Sequence, residues 1–153
     1  MPVFEDMRDE DLREVYGLCE RTFHESPCFE EVERTYLKCR GDNHYRFLVG
    51  RLDGKIVAYT TIVMFYDVFD GDSPIMTLWY VCVDEAYRRR GIASAMFREI
   101  ERIAEEAGCE IIYFTSKADN KAAHAFYKSA GYSMKAEKAF VKYLYESWNK
   151  DSV

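Results

Sequence analysis

Apolar residues change their spacing several times along this chain, and each change marks an element. Residues 2–5 read as a short strand. Asp9, Glu10 and Asp11 give acidic helix-start signals ahead of Leu12, Val15, Tyr16, Cys19 and Phe23, which recur at helical spacing. Ser26-Pro27 predicts a second helix start, because serine caps well and proline fits a first turn. That helix runs to about Arg40 and stops at Gly41, with Phe29, Val32, Tyr36 and Leu37 inward and Glu30, Glu31, Glu33 and Arg34 as a solvated face. Then β-branched and aromatic residues take over. Residues 45–51 and 55–66 flank Asp53-Gly54, the strongest short hairpin signal, and 67–74 read as a loop.

Residues 78–83 form a near-continuous apolar run, followed by a polar turn over 84–90. Ile92, Met96, Ile100, Ile103 and Ala107 return to helical spacing, and Gly108 stops the helix. A strand over 110–115, a loop over 116–120, a short helix over 120–130 and an antiparallel pair over 132–134 and 140–145 complete the chain. The strands on either side of the long helix are apolar on both faces, which predicts a parallel pair covered on both sides. The order gives an α/β (α+β mixed) fold, a twisted mixed sheet of about six to seven strands with helices on both faces. At 153 residues a single domain, 1–153, accounts for the whole.

Composition narrows the partners. A net charge of −6 argues against nucleic acid recruited by general electrostatics, so a basic cluster is a local feature. Neither a leader pattern nor an apolar run approaching ~18 residues stands in the sequence, so no membrane partner and a cytoplasmic protein are expected. Cys19, Cys28, Cys39, Cys82 and Cys109 lack C-x-x-C spacing, which fits reduced, buried packing thiols rather than disulfides or a metal site.

Arg88, Arg89 and Arg90 stand where the polar turn meets the long helix. Basic residues are unfavourable at the positive end of a helix, and a bound anion would resolve the conflict. The other reading is an exposed basic start balanced by Asp84 and Glu85. No second glycine completes G-x-G-x-x-G, and no Gly-Lys-Ser/Thr is present for a Walker loop. The segment Arg88-x-x-Gly91-x-Ala93, directly after Val81-Cys82-Val83, resembles the coenzyme A pyrophosphate signature of the GNAT superfamily of N-acetyltransferases, Gln/Arg-x-x-Gly-x-Gly/Ala. Further on, Asn120-x-x-Ala123-x-x-Phe126-Tyr127-x-x-x-Gly131-Tyr132 resembles that family's second signature, Asn-x-x-Ala-x-x-Phe/Leu-Tyr-x-x-x-Gly-Phe/Tyr. Asn120 and Tyr127 are about two helical turns apart and share a face. Ligands of open sheets bind beyond strand ends, so the two signatures are expected to lie near each other.

The resemblance implies an acyltransferase in which an amine attacks the thioester of acetyl-CoA directly, in a ternary complex. Val81, Cys82 and Val83 would hold the pantetheine arm like an added strand, with a main-chain N–H near Val83 polarising the thioester carbonyl. Backbone amides from Arg88 or Arg89 through Arg90, Gly91, Ile92, Ala93 and Ser94 would bind the pyrophosphate. Asn120, in one signature with Ala123, would hydrogen-bond the coenzyme, and Tyr127 would protonate the departing thiolate. Many family members carry a glutamate where this chain has Thr77, which cannot serve as base. Tyr80, His24, Glu25, Asp67 or a water chain is left, with water relayed from Tyr80 or Glu25 preferred. Cys82 reads as packing rather than an acyl carrier, because its alternate neighbours Leu78 and Tyr80 suggest an inward position.

The family's acceptor groove maps to about 23–31 and 134–138. Glu25, Glu30, Glu31 and Glu137 make it acidic. A small cationic amine such as a polyamine, amino acid or amino sugar is therefore expected, with His24, Glu25 and Tyr80 as contacts. The alternatives are a protein N-terminal or lysine acetyltransferase and a non-catalytic acyl-CoA binding module. Dimerisation is common in the family, which makes a homodimer a further expectation.

Overall fold

The computed structural model describes residues 1–24 and 26–144. They fall into two compact units, Met1–Phe114 and one that begins at Thr115. In the first unit the described strands are β1 (Val3–Asp6), β2 (Tyr45–Leu52), β3 (Lys55–Phe65), β4 (Ile75–Val83) and β5 (Ile111–Tyr113), and they lie side by side in chain order. The helices are α1 (Leu12–Phe23), α2 (Phe29–Cys39) and α3 (Ile92–Ala107).

Local turn chemistry sets much of this order. Asp53 and Gly54 have φ of 50° and 80°, the two positive values that a tight hairpin needs, and they join Leu52 to its partner Lys55. The first three strand pairs are antiparallel and β4–β5 is parallel, with Ile75, Met76 and Thr77 opposite Ile111, Ile112 and Tyr113. Five consecutive residues of β3, Ile56 to Thr60, are buried, and consecutive burial in a strand requires cover on both faces. On one side Val15, Leu18 and Cys19 of α1 form a core with Val49, Ile56, Tyr59 and Cys82. Elsewhere α3 packs on β3 and β4 with Met96, Phe97, Ile100 and Ile103 buried.

Several expectations are corrected. The second helix starts at Phe29, not at Ser26-Pro27. Cys28 is still extended, and the Pro27 carbonyl accepts the Tyr16 hydroxyl at 3.0 Å, which ties this connection to α1. Leu37 is exposed because it flanks the stripe of Phe29, Val32 and Tyr36 rather than joining it. Ile111 and Tyr113, which share one face of β5, are also exposed, so among the described residues that face is not covered. Of the cysteines, Cys19 and Cys82 are buried as expected, but Cys28 is exposed beside the start of α2.

The second unit contains α4 (Lys121–Ser129), followed by Gly131 at φ 93°. Described residues 132–144 contain no strand, so the expected final pair is not formed there and the sheet has five described strands instead of six to seven. Ser133 makes a local turn here. Its hydroxyl accepts the N–H groups of Lys135 and Ala136, both at 3.1 Å, which turns the chain directly after the first expected segment. Tyr145, the last residue of that expected pair, lies outside the described residues. Among the described residues no helix is long and apolar enough to cross a membrane.

Candidate functional site

The end of β4 departs from regular pairing. Tyr59 opposes Cys82 and Thr61 opposes Trp79, so β4 carries one extra residue across this interval. Tyr80 takes the left-handed conformation at φ 55°, which costs a residue with a side chain about 1–2 kcal/mol. Fully buried Thr60 donates its hydroxyl to the Trp79 carbonyl at 3.0 Å and holds the bulge. The bulge breaks the alternation, so Tyr80 is 46% exposed instead of inward beside Leu78 and Cys82, with its ring edge-on to Phe23 at 4.9 Å. Cys82 itself is buried, and the neighbouring Cys19 thiol together with burial pushes its pKa well up, which makes it a packing thiol. Because β5 pairs only with residues 75–77, no described strand lies on that side of 78–83. That stretch is a strand edge.

Beyond Val83 the chain turns through a 3-10 segment, Glu85–Tyr87, whose preceding Asp84 accepts the Ala86 N–H at 3.0 Å and the Arg21 guanidinium at 3.2 Å. Asp84 is thus engaged, and an ordinary exposed basic helix start loses that part of its charge balance. Arg88 donates to the Val83 carbonyl at 3.3 Å, and the Arg90 guanidinium lies 5.3 Å from the Tyr87 ring centre. Among the described residues none of the three arginines forms an ion pair with a carboxylate. Arg89 at φ 60° and Gly91 at φ 75° swing the backbone into α3. The helix has no side-chain cap and no acid in its first turn. The N–H groups of Ile92, Ala93 and Ser94 therefore face outward at the positive end of a sixteen-residue helix.

A cavity of about 560 Å³ lies in the same unit between the first two helices and the sheet. Tyr16, Ser26, Glu31, Tyr36, Tyr59 and Tyr80 are among its lining residues. His24 is not; it is exposed and closes α1 in a left-handed conformation. Glu25 lies outside the described residues. Asp67 uses a carboxylate oxygen to accept the Phe69 N–H at 3.0 Å, as a turn former does. Thr77 is buried mid-strand between Val63 and Tyr113.

In the second unit Asn120 caps α4, accepting the Ala123 N–H at 3.1 Å through its carbonyl oxygen. Its amide NH₂ group keeps two donors. Tyr127 lies on the same helix with its ring edge-on to Phe126 at 5.5 Å, and burial raises its pKa, so its hydroxyl stays protonated. The residues that sequence reasoning missed are Thr60, Tyr16, Ser26, Tyr36 and Tyr59. A threonine inside an apolar strand run was the one local signal, and it marked the bulge.

A mixed sheet with an open strand edge leading into an uncapped, arginine-flanked helix start defines a fold suited to an elongated anionic ligand. Residues 9–132 match the Acetyltransferase (GNAT) family, and the chain belongs to that family of N-acetyltransferases. It is similar to the [Ribosomal protein bS18]-alanine N-acetyltransferase of Escherichia coli, at 24% identity over 87% of this chain and 82% of the relative. A putative acetyltransferase from Agrobacterium tumefaciens shares its fold at a TM-score of 0.83 and 20% identity, covering 92% of this chain and 99% of the other. Glucosamine-6-phosphate N-acetyltransferase from Arabidopsis thaliana does so at 0.77 and 19% identity, covering 94% and 99%.

Proposed function

We propose that this chain transfers the acetyl group of acetyl-CoA to the primary amine of a small cationic molecule, by direct attack in a ternary complex. The observation that carries this reading is the start of α3. Unpaired N–H groups, two left-handed residues and three arginines without carboxylate partners among the described residues suit a diphosphate in both charge and donor number. The strand edge at 78–83 suits the amide-bearing pantetheine arm, which can pair as an extra strand. When bound, the coenzyme supplies a thioester already activated for attack.

The remaining work falls to side chains and amides of the chain. Val81, Cys82 and Val83 hold the arm through their backbone, and an N–H near Val83 stabilises charge on the carbonyl oxygen, a term often worth ~3 kcal/mol. Arg88, Arg89, Arg90, Gly91, Ile92, Ala93 and Ser94 hold the diphosphate. Asn120 donates its free amide to the coenzyme, with Ala123 beneath it in the same turn, and Tyr127 gives its proton to the departing thiolate. Water relayed from Tyr80 or Glu25 takes the proton of the amine, and His24 contacts the acceptor. The whole chain acts as one domain. It works in the cytoplasm, a reading that the free thiols favour, exposed Cys28 included. One observation favours a second reading: the Escherichia coli relative is named for an alanine of a ribosomal protein, so a protein N-terminus is the alternative acceptor.

Thermal unfolding tests the coenzyme assignment. Acetyl-CoA or CoA at ten times its dissociation constant should add ~1.4 kcal/mol and raise the midpoint by about 3–6 °C. ATP and NAD should add little. No shift with any of the four sinks the transferase reading. Gly91→Ala tests the turn itself. The added methyl meets only Met1, at 3.9 Å, so its cost is backbone strain at φ 75°, about 1 kcal/mol of stability. Coenzyme affinity should fall about tenfold as the first-turn amides tilt, a loss of ~1.4 kcal/mol. Calorimetric titration with CoA reads it directly, and unchanged affinity removes Gly91 from the site.

A further inference from the structure

We infer that the acceptor carries its amine on a flat aromatic body with a single polar group at the far side, rather than on a polycation or a sugar. This rests on the transfer reading above and narrows its acceptor. The cavity beneath α1 and α2 has the roughly 560 Å³ expected of a small-molecule site. Its walls include the rings of Tyr16, Tyr36 and Tyr59, and each of these hydroxyls already has a partner. Tyr16 donates to the Pro27 carbonyl at 3.0 Å, Tyr36 to Asp9 at 2.8 Å, and Tyr59 bonds Thr61 at 2.7 Å. The rings thus offer apolar faces, and burial of Tyr59 pushes its pKa up and keeps it neutral.

Charge on the lining points the same way. Among the described lining residues Glu31 stands with Arg34 and Lys38, so a polyamine would meet two like charges for one carboxylate there. A sugar would press several hydroxyls against the rings of Tyr16, Tyr36 and Tyr59, whose own hydroxyls are taken, and a buried unpaired hydroxyl is costly. Ser26 is the exception. Among the described residues its hydroxyl is the buried side-chain polar atom without a hydrogen-bond partner, and it lines this cavity. One polar substituent on the guest satisfies it. Tyr80 also lines the cavity, next to Val81 on the bulge of β4, so the guest's amine can reach the proposed thioester position while its body stays in the cavity.

The same walls address the missing base. An amine attacks only when neutral, and apolar surroundings lower an amine's pKa. A bound arylalkylamine would shed its proton to water more readily than in solution, which suits a chain with Thr77 in place of a glutamate.

Tyramine, phenethylamine, spermidine and glucosamine should be compared on the full chain, by thiol release with acetyl-CoA and by calorimetric binding to the CoA-loaded protein. Tyramine is expected to exceed spermidine and glucosamine at least tenfold in kcat/KM and in affinity. Ser26→Ala should weaken tyramine about fivefold, the worth of one hydrogen bond, and leave phenethylamine unchanged. Val32→Trp, which fills the cavity from α2, should abolish tyramine binding while the CoA-induced thermal shift persists. If spermidine or glucosamine equals tyramine, or if neither aromatic amine binds while CoA does, the inference is overturned and the transfer reading survives. If CoA produces no shift, the transfer reading fails first.

Discussion

Tyr127→Phe should lower kcat about a hundredfold, the modest end of what a positioned general acid contributes, and should leave coenzyme affinity nearly unchanged. Phenylalanine keeps the ring and its edge contact with Phe126, so the change removes the hydroxyl and little else. The expected pH dependence follows from the direction of the shift. Burial raises the Tyr127 pKa above the ordinary value of 10.0, so the protonated form that an acid needs persists through neutral and mildly alkaline pH. The wild-type rate should therefore rise as the acceptor amine deprotonates, and Tyr127 should impose no fall below about pH 10. Steady-state thiol release against pH, with the acceptor saturating, measures both limbs. A variant with wild-type turnover would show that the thiolate leaves without this proton. A variant that loses the CoA-induced thermal shift would show instead that Tyr127 binds the coenzyme.

What could be read in the sequence was what local chemistry dictates. Asp53-Gly54 fixed a hairpin because both residues accept positive φ, and the long helix ran from Ile92 to Ala107 between glycines that are left-handed at both ends. The parallel β4–β5 pair followed from two apolar strands joined by that helix. Features that depend on distant partners were hidden. Simple alternation puts Tyr80 inward, but the extra residue in β4 is visible only once Tyr59 and Thr61 are paired with Cys82 and Trp79. Likewise, nothing local says that Tyr16, Tyr36 and Tyr59, from two helices and a strand, line one cavity. The final pair failed for the opposite reason. Residues 140–144 have strand composition but form no strand with 132–134, and composition alone does not supply a pairing partner. The two signatures escaped these difficulties as local structure, because each is a helix start made by consecutive residues.

The largest stability loss is expected at a residue outside those signatures. Asp11 is 6% exposed, and one of its carboxylate oxygens accepts both the Arg8 N–H at 2.9 Å and the Arg51 guanidinium at 2.8 Å. Arg51 also reaches Glu5 at 2.8 Å, so three segments meet here: β1, the 3-10 turn Asp9–Asp11 that leads into α1, and β2. Asp11→Ala leaves the guanidinium with a single partner and the Arg8 N–H with none from this side chain. Breaking a buried pair from one side costs 3–5 kcal/mol, and the partial exposure of Arg51 reduces this to about 2–3 kcal/mol. For a domain of this size that is a fall of roughly 5–10 °C in Tm. Arg51→Met should cost a comparable amount, because it leaves the more deeply buried Asp11 carboxylate without its cationic partner. The double variant should then lose less than the sum, since both changes break one interaction. Urea denaturation of the three variants measures the coupling, and additive losses would show that the pair is screened by water. The consequence for function is specific. Leu12 and Val15, in the turn of α1 that follows Asp11, line the cavity proposed for the acceptor. Well below its midpoint, Asp11→Ala should therefore raise KM for the amine while KM for acetyl-CoA holds, because the helix start that loosens is not the one at Gly91.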